Sequence, residues 1–181
     1  MNINYSTIRG MSVDEQVRVI VDHPSQDACR KLLAFAFACA NTVQRDLPID
    51  NPVRIVLTHA EIEAAKERPE PTTFTRLLQD IRAHTSAQAY TNERSGLAPV
   101  AALGVQAYPY LWQIWACMDA VAAAGAFAAI NDDTSSTYYS TKTFAIMVMS
   151  VARNCRRVAA DGKEAEDIEE KQKAMLALLF M

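Results

Sequence analysis

Between Ser95 and Met118 the chain carries no charged residue, and after Asp119 a second uncharged stretch continues to Asn131. Such a segment has to be enclosed by lipid or by the rest of the protein, and that choice constrains the fold more than any other feature. A membrane helix needs about 20 predominantly apolar residues, a length this stretch reaches. Its composition points elsewhere, because Pro99 and Pro109 interrupt it, Gln106 and Gln113 lie within it, and alanine outweighs leucine. A helix apolar on every side suits the buried centre of a globular bundle. The expectation is therefore an all-α protein, a single helical domain over residues 1–181 built as a multi-helix bundle of about 7–8 helices. Residues 109–130 would lie at its centre, with no membrane contact.

Composition agrees. Alanine, the best helix former, occurs 30 times in 181 residues. With 50% hydrophobic and 22% charged residues, the chain falls outside the disordered class. At this length roughly 70% of the unfolded surface is buried on folding, so no disulfide or metal is needed to hold a core. A net charge of -3 argues against a protein that coats nucleic acid, which normally carries a basic surplus. Cys29, Cys39, Cys117 and Cys155 form no C-x-x-C pair, so neither a zinc ribbon nor a thioredoxin motif is available. They read as buried, reduced thiols in a cytoplasmic protein. The segment MNINYSTIRGMSVDEQ lacks the apolar stretch of a secretory signal.

Helical periodicity runs through nearly the whole chain. Ser12-Val-Asp-Glu15 is a capping box opening a helix that ends before Pro24. Ser25 caps a second helix to about Arg45, with Ala28, Leu32, Phe35, Cys39 and Val43 on one face. Asn51 caps a third with Pro52 in its first turn, and Val53, Val56, Leu57, Ala60 and Ala64 form its apolar line. Pro69-Glu-Pro71 stops that helix, and Thr72 or Thr73 starts a fourth marked by Phe74, Leu77, Leu78 and Ile81. The polar segment TNERSG separates the two halves. Pro99 begins a fifth helix, and Pro109 kinks it or begins a sixth that runs to about Ile130. After the breaker NDDTSS, a seventh spans Thr137 to Ala160, with Phe144, Met147, Val148, Val151 and Cys155 inward. Asp161-Gly162 leads into the last.

Catalytic motifs are scarce. His59-Ala-Glu61 matches half of a zinc-deaminase signature, but the P-C-x-x-C that completes it is missing. With only His23, His59 and His84 and no H-E-x-x-H, no metal is expected. Scattered glycines leave no phosphate-cradling loop, and no serine sits in a G-x-S-x-G elbow. No catalytic residue is assigned, and no cofactor is expected. Asp119 is the most unusual carboxylate, because an unpaired buried charge is costly. It calls for a basic or hydroxyl partner, with Arg153, Arg156 and Arg157 of the next helix as candidates for a structural ion pair.

Two acidic groups suit recognition of a cationic partner. One is Glu164, Glu166, Asp167, Glu169 and Glu170, within a ten-residue segment holding six acids, part of which complements a helix N-terminus. The other is Glu61, Glu63 and Glu67, with Glu70. The apolar tail MLALLFM should dock, with Leu176, Leu179 and Phe180 on the bundle or on a second copy of the chain.

The segments KLLAFAFACANTV, NPVRIVLTHAEIEAAKE and AVAAAGAFAAINDDTSSTYYSTKTFAIMV resemble those of the Ala-rich, all-helical immunity proteins encoded beside bacterial polymorphic toxins. That family is similar in placing an A-x-x-C-A helix before a proline-initiated helix, then an alanine-rich pair joined by a polar turn. The resemblance spans residues 30–157 and carries over no site residue. It implies a cytoplasmic protein that binds and neutralises a cognate toxin by protein–protein contact. Complementary charge would speed that encounter. Two other classes compete with it. A self-assembling coat or nucleoprotein subunit of a virus or phage would dock its apolar tail into neighbours and use Arg153, Arg156 and Arg157 on phosphate. A helical enzyme or ligand-binding regulator would place a pocket around Tyr108, Trp112, Trp115 and Asp119.

Overall fold

Local signals set the helix boundaries in the computed structural model, which describes residues 8–23, 25–94, 110–130 and 137–180, as backbone alone along 84–94 and 137–140. Helix α1 (Val13–Asp22) opens with the reciprocal box its sequence predicts. Ser12 Oγ accepts from the Glu15 N–H at 3.3 Å, and Glu15 Oε2 accepts from the Ser12 N–H at 2.9 Å. Ser25 Oγ accepts from the Ala28 N–H at 3.0 Å and starts α2 (Gln26–Val43), which a 3₁₀ turn over Gln44–Asp46 follows. Asn51 Oδ1 accepts from the Val53 N–H at 3.0 Å at the head of α3 (Pro52–Ala64). Each such cap satisfies a backbone donor that the helix itself leaves open, a contribution of about 1 kcal/mol.

Helix α4 (Pro71–Arg94) begins at the proline itself, whose fixed φ suits a first turn. It also runs through Thr91–Arg94, where the sequence predicts a polar break. Polarity alone does not end a helix. Helix α5 spans Leu111–Ile130, α6 spans Thr137–Arg157 and α7 spans Gly162–Phe180. Helix α6 stops before Ala160, because the Val158 and Ala159 N–H groups tighten onto the Cys155 and Arg156 carbonyls. The helix predicted from Pro99, the Pro109 junction, Tyr108 and the NDDTSS turn lie outside the described residues. Within them the protein is all helix, seven α-helices and one 3₁₀ turn, with no strand.

Packing follows from side-chain size. Helix α5 lies against α2, α3, α4 and, most extensively, α6. Ala116, Ala120, Ala123, Ala124 and Ala128 are buried along it, with Cys117, Val121 and Phe127. Alanine adds little bulk and has no side-chain rotamer entropy to lose, so several helices can share one axis at close range. At Gly125 the approach is close, since a Cβ there would lie 3.2 Å from the Cβ of Phe74 on α4. Phe127 and Phe144 pack tilted, with ring centroids 6.2 Å apart. Helix α6 in turn meets α1, α2 and α7.

The central position predicted for this segment is observed over Leu111–Ile130. Its enclosure is one-sided, however. Neighbours cover the alanine face, while Met118, Asp119, Ala122, Gly125 and Ala126 are half-buried and Trp115 stands 48% exposed. Helix α5 is long and apolar enough to cross a membrane, yet over half of its apolar window is buried within the bundle. At the far end, Leu176 is fully buried, and Leu179 and Phe180 pack partly on the core. Lys31 Nζ of α2 lies 5.5 Å from the Phe180 ring centroid. Leu178 points outward, at 73% exposure.

Candidate functional site

The eight acids singled out in the sequence divide sharply by environment. Glu63 is buried, at 8% exposure. Its Oε2 lies 2.6 Å from Lys66 Nζ, and its Oε1 accepts from the Glu70 N–H at 3.2 Å. Lys66 and that backbone donor hold its carboxyl below the ordinary carboxylate range. Glu63 thus closes the turn between α3 and α4, and its carboxylate is not presented to a partner. Glu61 is exposed and accepts from Asn41 Nδ2 at 3.2 Å, and Glu67 is exposed in the turn after α3.

On α7, Glu164 Oε2 accepts from the Ala160 N–H at 2.7 Å while Asp161 Oδ1 accepts from the Glu164 N–H at 2.8 Å. That pair is a helix cap. Glu169 is drawn inward to Arg156, 3.2 Å away. Glu170 pairs with Lys173 at 2.8 Å at the surface, and Glu166 and Asp167 are exposed. Only part of each acidic group therefore faces solvent.

The outer face of α3 carries a feature the acid pattern did not reveal. Ile55 and Ile62 are 55% and 61% exposed, and Ile49, just before the helix, is 87% exposed. Seven residues is close to two helical turns, so Ile55 and Ile62 share one stripe, with exposed Thr58 and His59 between them. Exposed Glu61 precedes Ile62 on the helix, and exposed Glu67 lies in the turn after it. The signal was present in the sequence, because both isoleucines fall off the apolar line Val53, Val56, Leu57, Ala60 and Ala64, all of it buried.

A second cluster lies on the seam between α5 and α6. Asp119 Oδ2 accepts from Ser150 Oγ at 2.6 Å and from Asn154 Nδ2 at 2.8 Å. Its partners are thus an amide and a hydroxyl, the latter one of the two kinds expected, and the candidate ion pair with Arg153, Arg156 or Arg157 is not formed. Burial pushes its pKa up, and the two hydrogen bonds oppose that shift. The arginines are engaged elsewhere. Arg153 reaches Asp14 on α1 at 2.6 Å, and Arg156 lies between Asp14 at 3.6 Å and Glu169 at 3.2 Å. Arg157 donates through Nη1 to Asn154 Oδ1 at 3.4 Å and stacks over Trp112, 4.7 Å from the ring centroid.

All four cysteines are free and buried. Burial raises every one of the thiols, Cys117 and Cys155 to about 12, so they stay protonated at neutral pH. Cys155 Sγ donates to the Cys39 carbonyl at 3.4 Å, a packing role. His59 is exposed, His23 caps the end of α1, and the side chain of His84 lies outside the described residues. Among the described residues, no three His, Cys, Asp or Glu side chains converge in a way that could hold a metal.

Compared with protein families, with curated proteins and with solved structures, the chain matches none.

Proposed function

We propose that this protein works by protein–protein contact, as a cytoplasmic immunity-type inhibitor that binds and neutralises a toxin domain. The observation that carries this reading is the outer face of α3, where Ile55 and Ile62 stand in solvent next to exposed Glu61, with exposed Ile49 just before the helix and exposed Glu67 in the turn after it. Burying those isoleucines against a partner would contribute about 1.5–3 kcal/mol each for full coverage. The neighbouring acids, with Glu166 and Asp167 on α7 as a more distant field, would favour a cationic partner and speed its approach. The coat-protein alternative drew on three arginines for phosphate, and two of them are already paired with carboxylates.

The test is co-expression with the product of the reading frame beside this gene, which this reading predicts to carry a toxin domain. Rescue of growth and co-elution of the two proteins are the expected results. The double variant Ile55→Glu/Ile62→Glu should abolish both while keeping its helical circular dichroism and melting temperature. Undiminished toxicity in the presence of folded wild-type protein would contradict the reading.

A further inference from the structure

We infer that a second copy of this chain occupies the groove over α5, seating the Ile55 and Ile62 stripe of its own α3 there. The inference does not rest on toxin binding, since it concerns what covers the stripe when no other partner is present. It starts from the open side of α5, the most apolar of the described helices. There Ala122, Gly125, Ala126 and Ala129 form the floor of a groove of about 420 Å³, with Leu78 of α4 and Thr143 of α6 on its walls. Small side chains leave the floor recessed between its neighbours. That is the shape that receives larger side chains from another helix.

The matching projection stands on the same molecule. Ile55 and Ile62 are 55% and 61% exposed, and seven residues separate them by about 10.5 Å along α3. Ala122 and Ala129 repeat at the same spacing along the groove floor. Two isoleucines therefore meet two small-residue positions at one repeat, in the manner of an amphipathic helix laid into an apolar groove.

Charge sets which surface meets which. Exposed Asp50, Glu61 and Glu67 accompany the stripe, and Lys66 beside them is already paired with Glu63. On the groove side, exposed Arg82 continues the line of Thr75 and Leu78 by one turn. Exposed Arg76 and Lys142 adjoin the lining residues Thr75 and Thr143. Arg68 and Asp80 offset these charges only in part. Stripe and groove thus attract each other, whereas two stripes or two grooves repel. The contact is head-to-tail, so each added copy leaves one stripe and one groove open. Dilution frees the stripe for another partner.

The experiment is sedimentation velocity on two complementary variants of the full chain, alone and mixed. Ile55→Glu/Ile62→Glu removes the projection and keeps the groove. Ala122→Gln/Ala126→Gln fills the groove with long side chains of good helix propensity and keeps the projection. The wild type should exceed its monomer mass of 20.0 kDa increasingly with concentration, while each variant alone stays monomeric. Their equimolar mixture should form a one-to-one pair and nothing larger, because only one stripe and one groove remain in it. Where the α5 double variant loses helical circular dichroism, Thr143→Tyr on the exposed wall takes its place. A wild type monomeric at every concentration, or a mixture of folded variants that forms no pair, would overturn the inference. So would association that survives in either variant alone, which would put the contact elsewhere, such as on α7. A failure to neutralise a toxin leaves these masses unchanged, so the two readings fail separately.

Discussion

Asp119 shows what single residues contribute and what they conceal. Its position in an uncharged segment predicts that a partner must exist, but the choice of partner depends on the register of α6 against α5. That register places Ser150 and Asn154 opposite it, and no local spacing encodes the pairing. Truncation to Ala would leave the buried Asn154 amide unsatisfied, at a cost of about 1–3 kcal/mol. Asp119→Asn keeps one acceptor oxygen for both donors and removes the charge. Burial raises the folded pKa of Asp119 above its unfolded value. Its contribution to stability is therefore fully present below the unfolded pKa and is lost as pH rises through the folded one. Urea unfolding across that range should show Asp119→Asn gaining on the wild type from about pH 4 upward and then levelling. A difference independent of pH would contradict the burial of this carboxylate. Glu63 gives the complementary lesson. Its acidic neighbours suggested an exposed group, whereas its contacts with Lys66 and the Glu70 N–H place it in a turn.

At the level of elements, the starts of α1, α2 and α3 were legible because each depends on a side chain within three residues of the backbone it caps. The inward faces of the helices were also legible, since apolar spacing is itself the cause of burial. Less legible was the extent of α4, where a polar composition does not bring the steric block that ends a helix. The contact between α4 and α5 at Gly125 is tertiary and tests the packing directly. Gly125→Ala should gain about 0.8–1.0 kcal/mol of helix propensity, opposed by the Phe74 Cβ only 3.2 Å away. Phe74→Ala alone should cost about 3–5 kcal/mol. Because the Phe74 Cβ survives in that variant while its ring is removed, α4 can shift and the Gly125→Ala gain should emerge. A double-mutant cycle by thermal unfolding should give a coupling of at least about 0.5 kcal/mol. Strict additivity would mean that the two helices do not constrain each other there.

For the whole molecule, Asp14 joins the first described helix to α6 through Arg153 and Arg156, and Arg156 passes the link to Glu169 on α7. The sequence showed these charges only as separate runs, because Asp14 and Arg153 lie 139 positions apart. Asp14→Asn should lower stability by about 1–3 kcal/mol, between the ranges for exposed and buried pairs. Hydrogen exchange should accelerate first in α1, and added salt should shrink the difference. Unchanged protection of α1 would show that its apolar contacts alone hold it. The outer surface follows a similar rule. Ile55 and Ile62 are visible in the sequence as apolar residues off the buried line, but exposure at that position is fixed only when the bundle leaves this side of α3 uncovered.

Oxidative footprinting with and without the proposed toxin partner tests the proposed contact surface most directly. Labelling of Ile55 and Ile62 should fall several-fold when that partner is added, while exposed Leu178, on another helix, stays as reactive as in the free protein. Equal labelling of Ile55 and Ile62 in the free and bound states would contradict the account.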